Sequence, residues 1–119
     1  MMSVTELLTE TSDLLTATGA FASVVIREDS SAVIGREPAA YIEYGGMSSV
    51  DDSGVMTEEH SVKIFTRLLS IGRADLSPLD KAFKALKKSG AVNVQSALDS
   101  TDSRTVTFRI TAKYRMVTA

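Results

Sequence analysis

The most regular stretch of the chain is TVTFRITAKYRM, residues 105–116. Val106, Phe108, Ile110, Ala112, Tyr114 and Met116 alternate with Thr105, Thr107, Arg109, Thr111, Lys113 and Arg115. Successive side chains of a strand point to opposite faces, so this pattern predicts one long strand with an apolar face and a wet, basic face. Its twelve residues exceed the usual ~5–6, so the strand is expected to outrun the core that its own helices can cover. Upstream, Ser3-Val4-Thr5-Glu6 has the spacing of a capping box. Val4, Leu7, Leu8, Thr11, Leu14 and Leu15 then form one apolar stripe, and Gly19 can close the helix, which predicts a helix over 4–18. Phe21–Ile26 reads as a first strand and Arg27–Ser31 as a polar turn. Ala32–Arg36 is a short strand or an arm, with Pro38 at an edge or an entry point.

Ala39–Tyr44 reads as a second strand, stopped by Gly45-Gly46. Residues 45–59 lack periodicity and are rich in Gly, Ser and Asp, which predicts a long loop of the kind that is usually functional or disordered, here expected to serve in contact. His60–Leu69 is a third strand. Ser77-Pro78-Leu79-Asp80 predicts a helix start capped by Ser77; Leu79, Ala82, Phe83 and Leu86 form its apolar face, and Gly90 ends it. Ala91–Leu98, a turn over Asp99–Ser103 and residues 105–116 form a closing hairpin. The order is α-β-β-β-α-β-β. It predicts a single α+β domain over 1–119, a two-layer sandwich with two helices packed on one face of a mainly antiparallel sheet.

Composition narrows the chemistry. The chain has 119 residues, no cysteine and one histidine, which removes disulfides and thiolate metal sites and leaves at most one histidine for any triad. No apolar run approaches 18 residues, so no membrane partner is expected. The N-terminus carries acids and no early Lys or Arg, unlike a signal peptide, which points to a cytoplasm or a particle assembled there. His60 follows Glu58 and Glu59 but has no second His or Cys to share a metal. Asp51-Asp52-Ser53-Gly54 resembles the opening of a calcium loop without its alternating acids or closing Glu. No GxSxG, phosphate loop or GxGxxG occurs. The expectation is a protein without catalytic residues or cofactor.

Charge is unevenly placed. Residues 1–60 hold eleven acids against Arg27 and Arg36, whereas residues 61–119 hold eleven bases against four acids. Such halves can neutralise each other inside one fold or between neighbouring copies. Arg109, Lys113 and Arg115 share the wet face of the last strand, with Arg104 at its turn. Lys63, Phe65 and Arg67 share the outer parity of the third strand. If the two strands lie in one sheet, these cations decorate one surface. That surface is solvated, covered by another subunit, turned to a lumen, or a platform for single-stranded nucleic acid. In the loop, Met47, Val50, Asp51, Asp52, Val55 and Met56 combine acids with enough apolar surface to dock on a partner.

FASVVIRED, EPAAYIEYGG, a polar loop, HSVKIFTRLL, the helix SPLDKAFKALKKSG and the hairpin VNVQSALDSTDSRTVTFRITAKYRM follow one another in this order. The arrangement resembles the tail-terminator (tail-completion) proteins of long-tailed bacteriophages over nearly the whole chain. The resemblance implies a sheet with helices on one side and a hexameric ring of self-associated subunits at the head-proximal end of the tail tube. It implies tail-tube and neck (head-completion) proteins as partners, and DNA passing through the lumen without sequence specificity. A neighbouring head–tail connector protein shares this texture. A small cytosolic module whose basic sheet face binds nucleic acid or an acidic partner is the alternative from another class.

Overall fold

The N-terminal helix α1 spans Val4–Ala17, capped by the Ser3 hydroxyl, which accepts from the Glu6 amide at 3.1 Å. Leu7, Thr11 and Leu15 form its buried stripe, and the Thr11 hydroxyl is satisfied by donating to the Leu7 carbonyl at 2.7 Å. In the computed structural model the described residues are 3–27, 36–52, 54–69 and 75–117. All but the first residue of the expected turn Arg27–Ser31 and all but the last of the expected short strand or arm Ala32–Arg36 lie outside them. The strands are β1 (Ser23–Ile26), β2 (Ala39–Asp52), β3 (Val55–Leu69), β4 (Asn93–Thr101) and β5 (Thr105–Val117), with α2 (Ser77–Lys88) between β3 and β4. They form one sheet in the order β1-β2-β3-β5-β4. Only the β1–β2 pair is parallel; the other three pairs are antiparallel.

Both helices cover the same face. α1 packs on β1 and β2, and α2 packs on β4, β3 and β5 beside it. Between the layers lie Leu7, Leu15, Ala40, Ile42, Val62, Ile64, Ala82, Leu86, Ile110 and Ala112. Each of the larger side chains here contributes about 1.5–3 kcal/mol by leaving water. The even positions of β3 and β5 supply this core, as their alternation predicts.

Two local expectations are corrected. Ser77 is not the cap of α2. The cap position is Leu76, which has no side-chain cap bond, and the carboxylate of Asp75 accepts from the Ser77 amide at 3.0 Å. Asp75, just before the cap position, thus satisfies one first-turn amide through a local side-chain-to-backbone bond, that of Ser77 itself. The larger correction concerns residues 45–59, which are not a loop. β2 continues to Asp52 and β3 begins at Val55, pairing Met47 with His60, Ser49 with Glu58 and Asp52 with Val55. Gly54, at φ +83°, lies in the tight turn. β5 extends beside this hairpin, with Glu59 opposite Arg115 and Thr57 opposite Val117. The result is a three-stranded arm beyond the helices. The molecule measures 53 × 24 × 24 Å with a radius of gyration of 14.9 Å, against about 13.5 Å for a compact chain of this length. β3 has fifteen residues, and at ~3.3 Å per residue it accounts for the long axis.

Candidate functional site

The arm departs from the body at a bulge. Register shifts between Tyr44 and Gly46, where Tyr44 opposes Val62 and Gly46 opposes Ser61. Gly46 has φ +104°, a conformation glycine adopts without penalty. A Cβ on Gly45 would lie 2.9 Å from the Ser61 Oγ and 3.1 Å from the Ser61 carbonyl oxygen, so a side chain here would press on Ser61 of the paired strand. The extra residue also inverts the alternation of β2. Beyond it, Met47 shares the helix-side face with its pair His60, and it is 58% exposed.

His60 is the best buried polar group of this region, at 4% exposure. Its Nδ1 lies 2.8 Å from the Tyr44 hydroxyl and its Nε2 lies 2.9 Å from a Glu58 carboxylate oxygen. One neutral tautomer satisfies both contacts: Tyr44 donates to Nδ1, and Nε2–H donates to Glu58. Burial, and secondarily the negative charge of Glu58, raise the Tyr44 hydroxyl above its usual 10.0. The phenol therefore keeps its proton more firmly than a free tyrosine and is not activated as a nucleophile. The group works as a clamp between β2 and β3. Among the described residues no cluster of three or more His, Asp or Glu could hold a metal ion.

At the inner end of the arm Tyr114 reaches the helix layer. The Ser89 hydroxyl donates to the Leu86 carbonyl at 2.6 Å, so the Tyr114 hydroxyl, 2.9 Å away, is the donor to Ser89. Burial raises the Tyr114 hydroxyl above 10.0, against the lowering effect of hydrogen bonds with Ser89 and Thr11. Leu7, Leu14, Gly90 and Tyr114 are among the walls of a groove of about 370 Å³ at this junction.

The opposite, open face of the sheet carries the expected cations. Phe65 pairs with Arg109, Ser61 with Lys113 and Glu59 with Arg115, which brings the outer positions of β3 and β5 onto one surface with Lys63 and Arg67. Arg104 is exposed in the turn before β5. Acids of the same chain interleave the cations. Glu59 lies 3.8 Å from Lys113 and 3.4 Å from Arg115. Glu37 lies 3.3 Å from Arg67, and Asp99 lies 3.9 Å from Arg109. Between the acidic first half and the basic second half, Glu37 and Glu59 thus form ion pairs inside one subunit. Two contributors escaped the sequence reading: Tyr41, opposite Phe65, and Arg27, 5.2 Å above the Tyr41 ring and 3.2 Å from Glu43.

No protein-family model and no curated protein sequence matches the chain. Among solved structures, the chain is similar to one from a structure titled "Virion of native gene transfer agent (GTA) particle", with 12% identity over 92% of each chain and a TM-score of 0.47.

The contact residues expected in 45–59 fall on the arm. Val50, Asp51, Asp52, Val55 and Met56 are brought to its tip, with Val50 opposite Thr57, Asp51 opposite Met56 and Asp52 opposite Val55. The inverted alternation after the bulge hid these strands. The length of β5 was the signal that could have revealed them, because a twelve-residue strand needs partners of similar length.

Proposed function

We propose that this chain is a structural protein of a phage-like virion. Within that class the reading it fits best is a tail terminator that closes into a ring, of six copies, between the tail tube and the neck. The observation that carries the proposal is the three-stranded arm, a sheet that continues beyond its own helices and exposes Met47 on the face they leave uncovered. A monomeric binding domain gains nothing from a strand extension of this length, whereas an assembling subunit uses it to reach a neighbour. The order of elements, with its resemblance to tail-completion proteins, supports the same reading. The alternative of a nucleic-acid platform is weakened by the acids that lie beside Arg67, Arg109, Lys113 and Arg115.

The test is an arm-shortened chain. Removing residues 48–55 leaves Met47 facing His60 across Met56, Thr57, Glu58 and Glu59, a connection of ordinary hairpin length. Expected is a folded subunit that no longer forms rings on tail tubes and no longer completes tails. Infectious particles made with the shortened chain would overturn the proposal, as would a monomer or two-fold dimer inside the assembled particle.

A further inference from the structure

Edge strands expose unpaired main-chain groups, and proteins that stay monomeric blunt them with Lys, Pro or brevity. β4 has none of these protections. It is nine residues long, contains no Lys, Arg or Pro, and is exposed at every position but Val94. Leu98 is 59% and neighbouring Val92 52% exposed. Its one charge, Asp99, sits at the bulge and faces Arg109 of its own chain. A second long edge lies on the other side of the sheet. β1 accompanies β2 only along Ala39–Ile42, so from Tyr44 to Asp52 the outer side of β2 has no strand partner among the described residues. That stretch also contains no Lys, Arg or Pro, and its glycines and serines let another backbone approach closely.

We infer that β4 of one subunit takes the arm edge of β2 from a second copy as an added strand, head to tail. Strand direction supports the pairing. β2, β3, β5 and β4 alternate in direction, so β2 and β4 run oppositely within one chain. β4 lies level with Val106–Lys113 of β5, and the arm begins beyond that level. A second copy displaced sideways and along the strands, with its helices on the same side, therefore brings the arm part of its β2 antiparallel to β4, the better hydrogen-bonded arrangement. Recognition is by main chain, with Leu98 and Val92 covered as the added strand settles. The contact is heterologous, so each subunit gives one edge and receives another. The inference rests on self-association as proposed above but not on the tail role.

The chain lacks cysteine, so single introduced thiols report without background. Ser96 pairs with Ile110 and Ser49 with Glu58, which puts both on the helix-side face, and both are exposed. Chains carrying Ser96→Cys and chains carrying Ser49→Cys are mixed with a short bismaleimide. Expected is the mixed product in clear excess over either homodimer, and its loss when Leu98→Lys is added to the Ser96→Cys chain. Homodimers through Ser96→Cys alone would mean two-fold β4–β4 pairing and overturn the inference. So would a monomer without product at every concentration. An oligomer without mixed product removes this joint and leaves the ring standing; mixed product from a protein that completes no tails keeps the joint and removes the tail role.

Discussion

At Tyr114 and Tyr44 burial sets the sign of an alkaline response. Each hydroxyl is raised above 10.0 in the fold, burial being the larger cause. The folded state therefore holds these protons more tightly than the unfolded chain, and stability falls as pH rises through and beyond 10. Denaturant melts between pH 8 and 11 should show a plateau followed by this decline, and Tyr114→Phe with Tyr44→Phe should flatten it. Tyr44→Phe alone also removes the hydrogen-bond partner of a buried His60 nitrogen and should cost about 1–3 kcal/mol at neutral pH. Gly45→Ala should destabilise the bulge, measured as a lower Tm. Adding Ser61→Ala should restore only part of the loss, because the Ser61 carbonyl stays close to the new Cβ. None of these contacts was legible in the sequence. A lone histidine beside two glutamates does not announce a tyrosine sixteen positions away, and only the paired register brings it there.

Elements with one dominant face were readable. α1, α2, β5 and the His60–Leu69 part of β3 follow from apolar spacing because each packs a single side against the same core. Where an edge or a bulge decides, the pattern misleads. β4 starts and ends later than its apolar residues suggest, since eight of its nine positions face water and do not select for apolar side chains. The start of α2 shows the same weakness on a smaller scale, with Ser77 expected as cap, Leu76 at the cap position, and Asp75 accepting from the Ser77 amide. Asp75→Ala should therefore lower stability by about 0.5–1.5 kcal/mol through this one lost hydrogen bond, whereas Ser77→Ala should change it by less than about 0.5 kcal/mol. Thermal unfolding of the two variants separates the assignments.

Across the whole molecule, charge and shape make separate predictions. Reversing Arg109 and Lys113 to Glu sets them against Asp99 and Glu59 of their own chain. These side chains are exposed enough that the fold should lose no more than about 1 kcal/mol per site. Assembly that depends on this face should be lost, and unchanged assembly would return the face to solvent. In small-angle scattering the chain lacking 48–55 should have a visibly shorter maximum dimension than the intact 53 Å body, with its Tm little changed, because the cluster between the layers is untouched.

β3 crosses from body to arm without interruption, matched to β5 at thirteen successive positions from Thr57 to Leu69. A tug along the arm therefore loads this ladder in shear, with many rungs sharing the strain at once, while the same tug applied sideways would unzip them singly. The projection is a strut, as stiff as the sheet it continues. A force applied at its tip is delivered directly to the layer beneath the helices.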